Sequence, residues 1–330
     1  MTQPITILFS CIGRRVSLIN AFRDAARRLR IPLHILGVDA SPLSPALQLC
    51  DQSFLVPPVS EDGYLRDMLR IIRDCRVEML IPTVDLDLKI LAANRGRFER
   101  WGCRVLVSRP EVIAICQDKR KTFEFWQKNG FDTPKTLSAA SALRKRKLEY
   151  PCFLKPWDGY ASRGNAIART REELAFYGRR IPNCIVQEYI RGEEFTCDAF
   201  VDFAMRVRCV VPRRRLEVRS GEVSKARIHR DPDIMERVTR LVTVLGAGPG
   251  VITIQLIRRP DGGIKFIEVN PRFGGGAPLS IRAGADFPRW ILQELRGQSP
   301  RIRFDGFEDG LLMLRYDEEV WVHSAGSQTR

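Results

Sequence analysis

The sequence predicts an α/β unit with a parallel sheet over residues 1–115, followed by a part in which strands pair as antiparallel hairpins. Three observations carry this. Apolar runs alternate with amphipathic stretches from Ile5 to Val107, and strand-helix alternation gives a parallel sheet with helices on both faces. The alternation changes character at Asp118, where a capped helix leads into a basic linker and a short apolar strand. Further on, Asp261-Gly262 separates two apolar strands, a strong hairpin signal because a type I′ turn needs φ > 0 at both central residues.

In the first unit, Ile5 to Ser10 reads as a strand, and Val16, Ile19, Phe22, Ala26 and Leu29 form one helical stripe. Leu33 to Val38 is a second strand that closes at Asp39. Tyr64 to Cys75 is helical, Met79 to Ile81 a strand, Leu86 to Phe98 helical, and Val105 to Val107 a strand. The loop after the first strand, Ser10-Cys-Ile-Gly13-Arg14-Arg15, has a single glycine. A dinucleotide fingerprint needs three, for the turn, the pyrophosphate approach and the helix packing, so NAD binding is not expected. Gly13, Arg14 and Arg15 still lie at a strand's carboxyl end before a helix N-terminus, where anions collect, and Asp85 lies at another such end.

Asp118 is placed to cap a helix that carries Phe123 and Trp126 inward and stops at Gly130. Lys119 in its first turn opposes the helix dipole and so wants an anionic neighbour. Cys152 to Pro156 is a short strand that sets Lys155 at a sheet rim. Trp157 to Asn165 is a loop whose amides suit phosphate, although it has only two glycines, Gly159 and Gly164. Ile185 to Glu188 is a buried strand, and Glu194 opens the next. Arg213, Arg215 and Lys225 fall on a stretch read as a strand, a mobile loop and a second strand; as preordered cations they suit a transferring phosphoryl group. A helix follows Asp233 to about Leu245, Pro288 to Leu295 is helical, and the tail from Gly326 is expected to be disordered.

The hairpin fixes a register. With its centre between Asp261 and Gly262, paired positions sum to 523, and Gln255 faces Glu268. Opposed residues share a face, and so do residues two apart in one strand, which adds Asn270. One carboxylate and two amide oxygens suit magnesium, a hard ion that completes its shell with phosphate and water. Arg272, just beyond, offers a planar fork for a phosphate or carboxylate. The glycine loop after it, with Gly274 and Gly275, can receive a carboxylate on its amides. Each residue singly is as well explained by a wetted strand face; the four in one register are not.

These strings resemble the ATP-grasp superfamily, nearest to the large-subunit type of carbamoyl-phosphate synthetase, in a single unit. The likeness covers almost the whole chain. It implies an α/β and α+β fold: a Rossmann-like N-terminal domain (1–115) that helps form the substrate cleft, then ATP-grasp subdomains at 116–185 and 186–325. It implies that Lys119 and Lys155 hold phosphates under the loop of Gly159 and Gly164. Gln187, Glu188, Tyr189 and Ile190 would meet the adenine edge, and Glu194 the ribose hydroxyls. Gln255, Glu268 and Asn270 would hold Mg²⁺, with Mn²⁺ as an alternative, and Gly13, Arg14, Arg15 and Asp85 would contact the acceptor substrate.

Composition narrows the classes. Nine scattered cysteines with no C-x-x-C pair argue for reduced thiols in the cytoplasm and against disulfides or zinc. Three histidines leave no triad; His229 alone falls in a site segment. No apolar run approaches a membrane span. Net charge +15 and a pI near 9.8 attract polyanions, but nucleic acid has no support beyond that charge. The resulting reading is an ATP-dependent ligase that joins a carboxylate to an amine, amino acids among the candidates, through an acyl phosphate. Carboxyphosphate chemistry, a non-enzymatic nucleotide- or RNA-binding role, and a homodimer stay open.

Overall fold

A computed structural model describes residues 3–159, 164–219 and 221–322. The chain divides into two compact units, one running to Leu106 and taking in the segment from Arg315, the other Val107–Leu314.

The first unit holds β1 (Ile5–Ser10), α1 (Val16–Leu29), β2 (Leu33–Asp39), β3 (Gln52–Leu55), α2 (Gly63–Asp74), β4 (Met79–Pro82), α3 (Leu88–Ala93), α4 (Arg95–Glu99) and β5 (Arg104–Val105). The five strands are parallel in the order β3-β2-β1-β4-β5. Helix α1 has the ends its stripe predicts, and it stops where Arg30 turns left-handed and donates back to Ala26 and Arg27. The single helix expected over 86–98 is two helices. Asn94 breaks it, its side-chain amide bonding the Ile90 carbonyl at 2.9 Å, as asparagine does at helix ends. Strand β3 escapes the sequence reading because Gln52-Ser-Phe-Leu55 is a largely exposed edge with little apolar alternation. The strand order reverses between β1 and β4, where Gly13, Arg14, Arg15 and Asp85 follow the strand ends. Asp39 spends its carboxylate locally, accepting from the Gly13 amide at 2.8 Å and the Ser41 amide at 3.0 Å.

The second unit begins with α5 (Pro110–Cys116) and α6 (Lys119–Lys128), the latter capped by the Asp118 carboxylate on the Arg120 amide. Then come β6 (Thr136–Ser138), α7 (Ala139–Arg144), β7 (Cys152–Pro156), β8 (Ala166–Ala168), α8 (Arg171–Arg180) and β9 (Cys184–Glu188). These strands form an antiparallel sheet in the order β6-β9-β7-β8, packed on α7 and α8 through Ala142, Leu154, Leu174 and Val186. The rest is β10 (Glu193–Val201), β11 (Val207–Arg219), β12 (Glu222–Ile228), α9 (Pro232–Leu245), β13 (Gly250–Arg258), β14 (Ile264–Asn270), α10 (Ala277–Arg282), α11 (Phe287–Leu295) and β15 (Leu312–Leu314). Its sheet is antiparallel in the order β14-β13-β10-β11-β12-β15. Helix α9 is capped by Asp231, two residues before the start read from sequence. The two strands expected here are β11, which continues through Arg219, and β12, paired with it from Glu222; Ser220 between them lies outside the described residues.

The β13–β14 hairpin corrects one expectation and keeps another. Its turn is not the two-residue type I′. Pro260-Asp261-Gly262 forms a three-residue loop, closed by the Arg259 amide on the Gly263 carbonyl at 2.8 Å and the Gly262 amide on the Arg259 carbonyl at 3.0 Å. Pro260 suits the second position of a type I turn, and only Gly262 is left-handed, at φ 83°. Pairs beside the turn therefore sum to 522, as in Arg258 with Ile264. A bulge then inserts Ile267, and beyond it the pairs sum to 523: Gln255 with Glu268, Ile254 with Val269, Thr253 with Asn270. Regular pairing carried on from the turn would set Gln255 against Ile267 and turn Glu268 to the other face.

Candidate nucleotide and metal site

The register of the six-stranded sheet builds a polar face row by row. Arg213 on β11 opposes Thr196 on β10, which opposes Gln255 on β13, which opposes Glu268 on β14. Two residues along, Asp198 opposes Thr253, and Thr253 opposes Asn270. Two residues the other way, Glu194 opposes Ile257, and Ile257 opposes Lys265. The period of two thus puts Gln255, Glu268 and Asn270 on one face. Asn270 is nearly buried, and its Oδ1 accepts from Arg272 Nη2 at 3.3 Å. Arg272 Nη1 donates to the Phe273 carbonyl at 3.1 Å. Among the described residues no group of three His, Cys, Asp or Glu is placed to hold a metal ion. A cation here would depend on Glu268 for charge and on the Gln255 and Asn270 amide oxygens, a donor set that fits a hard ion.

Two lysines converge on Glu268. Lys119 Nζ lies 4.0 Å from Glu268 Oε1 and donates to the Gly159 carbonyl at 2.5 Å, while the Lys119 amide bonds the Trp157 carbonyl. Lys155 lies on β7, whose sheet leaves it 5% exposed. Burial pulls its ammonium down to about 8; Glu268 works against that shift and Lys119 with it. The three groups are thus electrostatically coupled, two cations around one carboxylate. Gly159 and Gly164 pack on the Pro156 ring; Tyr160, in the same loop, lies outside the described residues.

Gln187 is buried on β9 and donates to Thr136 Oγ1 at 2.8 Å. Glu188 turns its carboxylate to Lys265 Nζ at 2.7 Å and to the Lys135 amide at 3.1 Å. Tyr189 and Ile190 follow in the open link to β10, and with Glu188, Arg191, Tyr150 and Lys265 they border a cleft of about 570 Å³. Glu194 Oε2 stands 3.3 Å from Arg215 Nη1, which also reaches Gln255 Oε1 at 3.5 Å. Of the three cations expected on the β11–β12 hairpin, Arg213 and Arg215 join the polar face. Lys225 does not: its ammonium is bound 2.6 Å from Glu217 in an exposed pair. Gly274 packs against Thr253, and Gly275 follows it in the loop. His229 is half-exposed beside the Phe195 ring and apart from the row.

Asp198, Thr253, Ser280 and Lys265 were missed from sequence. Asp198 had a signal, since Glu194, Thr196 and Asp198 are polar at every second place in an apolar strand. Lys265 had none, because the bulge hides its relation to Glu268.

Residues 116–276 match the ATP-grasp domain family, and residues 7–106 match the PylC-like N-terminal domain. Residues 116–276 are an ATP-grasp domain. The carbamoyl phosphate synthase large chain of Archaeoglobus fulgidus is 24% identical over 232 residues, covering 62% of this chain and 22% of that one. The matches span between 22% and 41% of the length of the curated relatives. Among solved structures, the biotin carboxylase domain dimer of Hydrogenobacter thermophilus 2-oxoglutarate carboxylase, in complex with MgADP, ADP and bicarbonate, matches with TM-score 0.72. Its identity is 17%, over 94% of this chain and 74% of that one. An L-amino acid ligase from Bacillus licheniformis matches with TM-score 0.69 and 20% identity, over 89% and 75%. The mixed α/β architecture is that of ATP-grasp proteins. No described helix is long and apolar enough to cross a membrane.

Proposed function

We propose that this chain is an ATP-dependent, ADP-forming ligase that joins a carboxylate to an amine. One observation carries the reading: Lys119 lies 4.0 Å from Glu268, and buried Lys155 is electrostatically coupled to both, beside a face that also presents Gln255 and Asn270. Lys119 and Lys155 hold the phosphates of ATP, and the link Gln187–Ile190 meets its adenine through backbone groups. Glu194 takes the ribose hydroxyls, as a carboxylate accepting two donors can. Gln255, Glu268 and Asn270 hold Mg²⁺, with Mn²⁺ acceptable to the same oxygens. When bound, the ion neutralises charge on the β- and γ-phosphates. Gly274, Gly275 and Arg272 receive the acid, and Arg213 and Arg215 offset the charge of the phosphoryl group in flight. Gly13, Arg14, Arg15 and Asp85 are proposed to contact the acceptor.

A carboxylate oxygen attacks the γ-phosphorus, and ADP leaves with the electron pair of the broken P–O bond. The amine then attacks the acyl carbon, phosphate departs, and the amine gives up a proton. Such chemistry needs positioning and charge neutralisation more than a protein nucleophile, in keeping with a polar face that holds no cysteine and no histidine. The L-amino acid ligase neighbour makes amino acids the first substrates to try. Phosphate release from MgATP is measured with amino-acid mixtures. Release that needs two of them supports ligation. Release driven by bicarbonate alone selects the second reading, carboxyphosphate formation, which the carbamoyl phosphate synthase relatives favour. No release, with a salt-dependent shift on RNA, returns the chain to a binding role.

A further inference from the structure

The polar face contains a buried charge pair whose carboxylate has no part in the chemistry above. Asp198, fully buried on β10, accepts from Arg213 Nε at 2.8 Å and Nη2 at 2.9 Å. Ser280 Oγ, on α10, donates to Asp198 Oδ2 at 2.6 Å. Thr253 Oγ1 lies 3.5 Å from Asp198 Oδ1 and 3.0 Å from the Arg272 carbonyl. Asp198 therefore ties together Arg213, the residue that starts the glycine loop, and the helix that follows the loop.

Arg213 is only 1% exposed, yet its Nη1 has no hydrogen-bond partner among the described residues. A buried donor left without an acceptor is costly, so each one asks for an explanation. A Cβ built on Gly276 would fall 2.2 Å from this Nη1 and 2.9 Å from Val223. Gly276 has an ordinary φ of −95°, so its backbone does not need glycine; the space beside Arg213 does.

We propose that Asp198 is a positioning residue for the acid-substrate end of the site. It holds Arg213 so that Nη1 is presented beside Gly276, where it donates to an oxygen of the carboxylate and of the acyl phosphate formed from it. When the amine adds to the acyl carbon, the carbonyl electron pair moves onto that oxygen, and Nη1 stabilises the resulting charge until phosphate leaves. The proposal rests on the ligase reading and gives the acid its receptor.

Acetyl phosphate is the probe, with inorganic phosphate as its control, each added to protein saturated with MgADP and read by thermal unfolding. In the unaltered protein, MgADP raises the midpoint and acetyl phosphate raises it further, while phosphate adds less. Asp198→Asn and Gly276→Ala keep the MgADP rise and lose the acetyl phosphate increment, a weakening of about a hundredfold for a receptor displaced by about an ångström. If Asp198→Asn fails to fold, Gly276→Ala decides, since it leaves the Asp198–Arg213 pair intact in composition. Retention of the increment in Gly276→Ala overturns the proposal. So does an unaltered protein that responds to MgADP but not to acetyl phosphate, an outcome that leaves the nucleotide reading standing. A protein that ignores MgADP removes that reading and the proposal with it.

Discussion

If Lys155 holds the phosphates as proposed, nucleotide affinity should depend on pH in a calculable way. Its ammonium titrates at about 8 because β7 buries it, against 10.5 for an ordinary lysine. A bound triphosphate would add its negative charge to that of Glu268 and so restore the proton. At pH 7 most molecules already carry the charge; at pH 9 about one in ten does. Affinity for ATP should therefore weaken about tenfold from pH 7 to pH 9, or about 1.4 kcal/mol. At pH 8 binding should take up about half a proton per site. Calorimetry in two buffers of different ionisation enthalpy reads that uptake directly, and at pH 8 a terminal phosphate with a second pKa of about 6 is almost wholly ionised. Lys155→Met should bind more weakly at pH 7 and show neither slope nor uptake. Without ligand the sign reverses. Between about 8 and 10.5 the folded state holds fewer protons than the unfolded, so stability rises with pH there. Affinity that is flat from pH 7 to 9, with no proton uptake, would refute the placement of Lys155 against the phosphates.

Three further outcomes are expected. Glu268→Gln keeps the shape of the hairpin but removes its charge. Turnover should nearly vanish and magnesium should no longer add to ATP-induced stabilisation, while metal-free ATP binding persists; unchanged magnesium dependence sinks the metal set. Glu194→Ala should weaken ATP and ADP alike by about 1.5–3 kcal/mol, the range for hydrogen bonds to a charged group, and spared ADP binding would remove the ribose role. Asp87, fully buried behind the Tyr64 hydroxyl at 3.0 Å, is pushed by burial up to about 6. Its contribution is whole below the unfolded value of 3.8 and is lost as pH rises through about 6. Asp87→Asn should therefore be more stable than the parent at pH 7.5, by up to roughly 3 kcal/mol, and equal to it near pH 3.5; parallel denaturant midpoints across pH would contradict this.

Much of the fold was legible because its signals are local. The stripe of α1 and the caps at Asp118 and Arg30 act within a few residues, so periodicity and end chemistry found that helix and Asp118. What was lost lay across strands. Asp198 matters through Arg213 and Ser280, 15 and 82 positions away, and the polar alternation of its own strand names neither partner. Lys225 looked like Arg213 and Arg215 in sequence, but a register shift beside Leu216 hands it to Glu217. The opposition of Gln255 and Glu268 was reached through the wrong turn. A symmetric two-residue loop and the observed three-residue loop with its bulge yield the same pair.

The bulge at Ile267 has a consequence for how such sites are recognised in other chains. Glu268 faces Gln255 because the ladder skips one residue, and a strand lacking Ile267 would bring the same two side chains together without a skip. The turn is equally free, since residues added beyond the Arg259–Gly263 pair leave every later pairing alone. The interval between these two proposed ligands is thus not fixed by their pairing, while their shared side of the sheet is. A pattern written with fixed spacing between the glutamine and the glutamate would overlook chains that build the identical constellation from one residue fewer or several more. One written in terms of a shared sheet face, with the turn and any bulge left open, would find them.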